Sequence, residues 1–180
     1  MLGMRLFEFG ELVPRQRNLV SIALPYMEDL RTATGAAVHL AILDGTEVVY
    51  LQVLSTKQAP RMNSRRGGRL PAHATGVGKA ILAFLPDGEA LLRGSGLPQM
   101  TIKTLTDEAK LRRQTADIRQ RGYAVEFGEN EDGLMCVGVP IFDHAGYPVA
   151  AISLSAPERR MPPALASAAA DALKSAASRI

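Results

Sequence analysis

Two hairpin signals constrain the fold of this 180-residue chain more than any other feature. The first spans residues 38–54, where alternating apolar residues lead into the tight turn Asp44-Gly45 and a β-rich segment returns. The second spans residues 134–155, around the turn 143–146. Helical segments lie before, between and after the hairpins. This order predicts a mixed α/β (α+β) fold in which an antiparallel sheet is flanked by helices.

The predicted helices are marked by helix-starting and helix-ending residues. Pro14 suits a first turn and Gly35 an end, although Pro25 between them should bend or divide the helix. Further helices are predicted at about 75–85, near 87–93, from Thr106 to Gly122, and from about Pro162. The overall arrangement resembles the GAF and profilin-like sensory domains, which is an analogy of fold alone.

A glycine-rich basic loop runs directly into the predicted helix at 75–85. Because the first amides of a helix have no partner within it, and glycines leave them unshielded, this end attracts a carboxylate or phosphate. The loop also carries four arginines, which could steer an anion, pair with acidic residues or contact nucleic acid. We favour a solvated, mobile loop that closes over a ligand; the arginines are Arg61, Arg65, Arg66 and Arg69.

The second hairpin predicts a cavity floor. A four-residue turn would place Phe142 opposite Tyr147, Cys136 opposite Ser153 and Leu134 opposite Ser155. One face is then bulky and apolar, as a core-facing surface should be, whereas the other is small and carries a thiol and two hydroxyls. The small face suits either the floor of a polar pocket or close cover by a loop, and composition does not separate the two.

Composition limits the function classes. The single cysteine, Cys136, excludes an internal disulfide and any multi-cysteine metal site, and it fits a reducing cytoplasm. No apolar run approaches the ~20 residues of a membrane span. The net charge of +3 does not argue for nucleic acid. The histidines lack metal-ligand spacing, so we expect no metal or cofactor. The single cysteine and the lack of a run long enough to span a membrane lead us to expect a soluble, cytoplasmic protein.

Two spaced motifs resemble the effector-binding domain of the IclR-type transcriptional regulators. The first motif comprises Leu70, Pro71, His73, Ala74, Gly78, Lys79 and Ala80. The second comprises Arg119, Gly122, Tyr123, Ala124, Glu126, Glu129, Gly133, Cys136 and Pro140. The segment 2–10 is similar to the family's exit from its DNA-binding domain. The sequence departs from the family pattern at Val137-Gly138 and at Gly128.

The resemblance implies a sensor half whose winged helix-turn-helix is absent from these residues. Residues 1–13 would be the remnant of the exit from it, 14–34 a linker helix and 35–180 the effector-binding domain. It further implies a small carboxylate or aromatic acid as effector, association as dimers or tetramers, and DNA contact only through the missing domain. The implied effector contacts are Ala59, Met62, Leu70, Ala74, Gly76, Val77, Glu126, Cys136, Ser153 and Ser155.

Two other functions stay open at this point. Cys136 could be the thiolate of a GAF-like redox enzyme, but such enzymes use further cysteines that this sequence does not contain. The chain could also be a dimerisation module without a small ligand. We favour a sensor without catalytic activity.

Overall fold

The computed structural model describes residues 14–56, 62–88 and 90–180. Within them lie four α-helices: α1 (Pro14–Thr34), α2 (Gly76–Phe84), α3 (Glu108–Arg121) and α4 (Ala166–Ala177). The six strands are β1 (Ala37–Asp44), β2 (Glu47–Leu54), β3 (Arg69–Pro71), β4 (Ala124–Phe127), β5 (Leu134–Phe142) and β6 (Pro148–Pro157). Short 3-10 turns occupy Ala72–Ala74, Ala90–Leu92 and Pro163–Leu165.

The strands form one antiparallel sheet in the order β3-β2-β1-β6-β5-β4. The predicted antiparallel sheet flanked by helices is therefore confirmed. The two predicted hairpins, β1–β2 and β5–β6, meet at the centre through pairing of β1 with β6. The edge strands β3 and β4 were not predicted, because three and four residues are too few to show a period.

Each face of the sheet carries its own layer of helices. One apolar cluster joins α1 and α4 to the bulky face of the second hairpin, with Met27, Leu173 and Ile152 fully buried. Another joins α2 and α3 to the opposite face. The core-facing role predicted for that bulky face is confirmed by the burial of its members, which are Met135, Val137, Val139, Ile141, Ala150, Ile152 and Leu154.

Helix ends follow the capping residues where these were recognised. Asp107 caps α3 by accepting from the Lys110 N–H at 2.8 Å, and Gly122 ends it at φ 81°. Pro25 does not divide α1, which is continuous. The helix expected near 87–93 is only the 3-10 turn Ala90–Leu92, and Pro162 precedes another such turn rather than α4 itself.

The predicted register of the second hairpin is wrong by two residues. Cys136 lies opposite Ser155, Gly138 opposite Ser153 and Leu134 opposite Pro157, and Phe142 pairs with Pro148 across an irregularity. The cause is the turn, in which the Asp143 carboxylate accepts from the N–H groups of Ala145 and Tyr147 at 2.9 Å each. Tyr147 is thereby drawn into the turn. Because the shift is even, both faces keep their predicted members.

A close backbone contact seats α2 on β5. A Cβ atom built on Gly138 would lie 2.6 Å from the Gly76 carbonyl oxygen, and one built on Gly76 would lie 2.7 Å from the Cys136 Sγ. Only glycine permits this approach at either position. Among the described residues, no helix has the length and apolar character needed to cross a membrane.

We expect Gly138→Ala to lower the free energy of unfolding by about 1–3 kcal/mol, because the methyl group forces α2 away from β5. At a strand position without such a neighbour, the same change should raise stability by about 0.4–1 kcal/mol through the unfolded chain. Urea unfolding of the two proteins separates these outcomes by sign. Equal or greater stability of the variant would show that the contact does not hold α2.

Candidate functional site

Two neighbouring rows of paired residues form the floor of a cavity on the α2 side of the sheet. Cross-strand pairing puts Glu126 beside Cys136 and Cys136 beside Ser155 in one row. In the next row, Gly138 pairs with Ser153 and Ser153 with His39. The cavity holds about 30 Å³. That volume accommodates about two water molecules.

The roof of the cavity is the first turn of α2. Thr75 caps this turn, since its hydroxyl accepts from the Gly78 N–H at 3.1 Å and its carbonyl accepts from the Lys79 N–H at 2.9 Å. The Gly76 N–H instead faces the Cys136 thiol. A backbone donor and the positive end of the helix dipole therefore point at the floor.

Burial keeps the thiol protonated. The Cys136 side chain lies among the Ser153 and Ser155 hydroxyls and the Gly76 N–H, yet burial outweighs these contacts and raises the pKa of the thiol to about 11. At neutral pH the group is a weak hydrogen-bond donor and not a thiolate nucleophile. A protonated, buried thiol argues against the alternative function as a GAF-like redox enzyme.

His39 links the floor to the loop that follows β2. Its Nε2 lies 2.9 Å from the Ser64 Oγ, and its Nδ1 lies 3.5 Å from the hydroxyl oxygens of both Ser153 and Ser155. The ring packs edge-on to Tyr50 with centroids 5.5 Å apart. Burial lowers the pKa of His39 to about 4, so the imidazole is neutral and offers one donor and one acceptor.

The loop segment 62–64 forms the outer wall. Besides the contact between Ser64 and His39, the Asn63 N–H donates to the Glu131 Oε2 at 3.1 Å. Arg69 does not reach the site, because it pairs with Asp44 at 2.6 Å and Glu47 at 2.8 Å on the first hairpin.

Glu126 is a buried carboxyl group in the floor, next to Cys136. Burial raises its pKa to about 7, although its Oε1 accepts from the backbone N–H groups of Glu129 and Asn130. The group is therefore close to half protonated at neutral pH. In its protonated form it can donate a hydrogen bond to an anion.

A buried ion pair holds the turn after β4 against α2. The Lys79 ammonium, which is fully buried, contacts the Glu129 carboxylate. The Glu129 Oε2 also accepts from the Leu105 N–H at 3.2 Å. Burial lowers the pKa of Lys79, while Glu129 opposes that shift. Removing either partner would leave an uncompensated buried charge, so the pair locks α2 to the turn that carries Glu129.

The structure brings together six of the ten residues named from sequence. Met62, Gly76, Glu126, Cys136, Ser153 and Ser155 line the cavity. Leu70, Ala74 and Val77 are buried but do not line it, and Ala59 lies outside the described residues. Leu134, which was predicted on the small face of the second hairpin, also lines the cavity. Sequence reasoning missed six further lining residues: His39, Tyr50, Ser64, Thr75, Asn130 and Glu131.

The missed residues reach the site through contacts that neither hairpin reveals. His39 faces the cavity because β1 pairs with β6, which is a contact between the two hairpins. A polar side chain in an otherwise apolar strand was the sequence signal that could have identified His39 as a site residue. Within the described chain, no group of three or more His, Cys, Asp or Glu side chains could hold a metal ion.

Comparison with known proteins identifies close relatives of this chain. The profile of the family described as "Bacterial transcriptional regulator IclR C-terminal" matches residues 12–180. The HTH-type transcriptional regulator XynR of Escherichia coli K12 is 40% identical over 156 residues, which cover 86% of this chain and 62% of XynR. The chain thus spans about three fifths of that relative's length.

Solved structures agree with this likeness. The crystal structure of Thermotoga maritima IclR superposes with a TM-score of 0.89 at 41% identity, covering 97% of this chain and 72% of that one. An IclR homolog from Microbacterium hydrocarbonoxydans, complexed with 4-hydroxybenzoate, gives a TM-score of 0.87 at 30% identity, covering 98% and 72% respectively.

The raised pKa of Glu126 predicts a pH dependence of stability. Between pH 4.5 and about 7 the folded state holds a proton that the unfolded state has lost, so stability falls as pH rises through this window. We expect Glu126→Gln to remove this loss. The free energy of unfolding of the variant, relative to that of wild type, should therefore rise by on the order of 2 kcal/mol when the pH is raised from 5 to 8.

Urea unfolding at both pH values measures the effect. Glu28→Gln, which changes an exposed carboxyl group on α1, is the matched control and should follow the wild-type profile. Parallel profiles of Glu126→Gln and wild type would contradict the buried, proton-holding state of Glu126.

Proposed function

The chain belongs to the C-terminal domain family of IclR-type bacterial transcriptional regulators, and we propose that its cavity binds a small carboxylate effector. The single observation that carries this proposal is the convergence of hydrogen-bond donors on one point. The Gly76 N–H, the Cys136 thiol and the hydroxyls of Ser153 and Ser155 meet at the N-terminal end of α2.

This set of donors suits a carboxylate because the helix end stabilises negative charge while neutral donors satisfy its oxygens. None of the described lining residues is a lysine or arginine, so the charge is balanced by dipoles and hydrogen bonds. A bound carboxylate would raise the pKa of Glu126 further through like-charge repulsion. Glu126 is then protonated in the complex and donates a hydrogen bond to the ligand.

The size of the cavity favours small ligands. Because about 30 Å³ holds only about two water molecules, even a short-chain acid requires the wall at 62–64 to move outward. That wall is held to the floor by the contacts Ser64–His39 and Asn63–Glu131. The 4-hydroxybenzoate complex of the Microbacterium homolog supports an organic acid as the ligand class.

The regulatory step that we propose is a population shift. The ligand stabilises the closed wall, and the change passes through the sheet to α1, which packs on its other face. We assign α1 to the linker helix and residues 35–180 to the effector-binding domain, and residues 1–13 lie outside the described part of the chain. DNA binding and assembly into dimers or tetramers would belong to the whole cytoplasmic regulator, including a helix-turn-helix domain beyond these residues.

Ser153→Ala should weaken binding of a carboxylate by about tenfold to a hundredfold, because a hydrogen bond to a charged group is lost. Titration calorimetry with a panel of two- to four-carbon acids and hydroxybenzoates measures the affinity. Ser175→Ala, which changes an exposed serine on α4, is the control and should bind as wild type does. If both variants bind an acid with equal affinity, the acid does not bind at Ser153 and the proposed site is wrong.

Ligand binding should also slow hydrogen exchange of the amides in 62–68, since it stabilises the closed wall. Ser64→Ala removes the contact with His39 and should raise exchange in the free protein. The amides of α4, on the opposite face, serve as the internal reference. Unchanged protection of 62–68 at saturating ligand would contradict the proposed closure.

A further inference from the structure

His39 is a buried imidazole whose ring nitrogens contact hydroxyl groups in the described part of the chain. Its Nε2 lies 2.9 Å from the Ser64 Oγ, and its Nδ1 lies 3.5 Å from the Oγ atoms of both Ser153 and Ser155. Burial lowers the pKa of His39 to about 4, so at neutral pH the ring carries one N–H. Because a hydroxyl can donate or accept, these partners are compatible with a proton on either nitrogen.

The two positions of the proton differ in what the floor can offer a ligand. With the proton on Nε2, the free Nδ1 accepts a hydroxyl hydrogen from Ser153 or Ser155, which then points away from the cavity. With the proton on Nδ1, the ring donates to the serine oxygens, and each hydroxyl hydrogen remains for another acceptor. Only the second arrangement lets both serines donate to a carboxylate.

The geometry of the floor favours the proton on Nδ1. Ser153 pairs directly with His39 across β1 and β6, and Ser155 lies next to Ser153 on the same face. A ring nitrogen accepts one hydrogen, whereas one N–H can be shared between two oxygens at long distances, as the equal contacts of 3.5 Å require. On their other side, the two hydroxyls lie beside the Cys136 thiol in the cavity.

Ser64 can hold the proton in this position from the opposite side of the ring. When its hydroxyl donates to the His39 Nε2, that nitrogen must be unprotonated, and the proton is on Nδ1. The ring packs edge-on to Tyr50, which fixes its plane between the wall at 62–64 and the floor. Hydrogen bonds then run in one direction, from the wall through the ring to the floor, and each strengthens the next.

We propose that His39 is a positioning residue of the site: with Ser64 donating to its Nε2, its Nδ1–H aims the two serine hydroxyls of the floor at a bound carboxylate. This inference rests on the proposed function of the cavity. It adds a physical route from the ligand to the wall. A carboxylate on the floor and a closed wall favour the same position of one proton, so each stabilises the other.

Nitrogen-15 NMR of the imidazole rings measures the position of the proton, because protonated and unprotonated ring nitrogens resonate far apart. We expect Nδ1–H for His39. His73 is the internal reference and should be Nε2–H, since its Nε2 lies 3.1 Å from the Pro98 carbonyl oxygen, which can only accept. In Ser64→Ala the Nδ1–H form of His39 should lose population. An Nε2–H ring in wild type, or an unchanged ring in Ser64→Ala, would overturn the relay.

Two substitutions of His39 test its effect on binding. His39→Asn keeps an N–H near the position of Nδ1, whereas His39→Gln places one near the position of Nε2. In titration calorimetry with acetate and 4-hydroxybenzoate, we expect the Asn variant to bind within about threefold of wild type and the Gln variant about tenfold to a hundredfold more weakly. His144→Gln, at an exposed position in the turn of the second hairpin, is the control and should bind as wild type does.

Equal affinities of the Asn and Gln variants, whether strong or weak, would show that His39 fills space without orienting the hydroxyls. The proposed function stands in that case if Ser153→Ala still weakens binding. If wild type binds no acid of the panel, the proposed function fails, and the positioning role of His39 fails with it.

Discussion

The architecture of the site depends on a contact between two backbones. Gly138 in β5 and Gly76 at the start of α2 approach so closely that a methyl group on either would meet neighbouring atoms below 3 Å. Because of this approach, the first turn of the helix lies directly above the thiol and hydroxyls of the sheet. Side chains of ordinary size would separate the layers, and the helix end would then face solvent or a wider apolar gap.

Charge is arranged around this contact in a graded way. Deepest lies the buried pair Lys79–Glu129, which holds the turn after β4 against α2. Next comes Glu126, whose pKa is raised by burial to about 7. The neutral His39 and the protonated Cys136 complete the floor. Neutral donors therefore surround the cavity, while the Glu131 carboxylate, which also lines it, accepts from the Asn63 N–H.

Sequence patterns predicted the parts of this structure that depend on local periodicity. The two hairpins, α3 with its caps and the division of the second hairpin into two faces followed from spacing and turn residues. Contacts between distant segments were beyond such patterns. His39 entered the site through β1–β6 pairing, and Asn130 through a turn held by Glu126, and neither pairing leaves a mark on its own segment. The register error at Cys136 arose from one carboxylate, Asp143, that reshaped its turn.

That register has a consequence for how such a pocket can diversify. The turn at 143–146 can shift the pairing of β5 and β6 by two residues without exchanging the inner and outer faces of either strand. An even change in turn length would therefore slide the thiol along the hydroxyls while the opposite face stays packed. Because an even shift preserves both faces, a change in this turn alters the distances between polar groups on the cavity side without exposing the packed side.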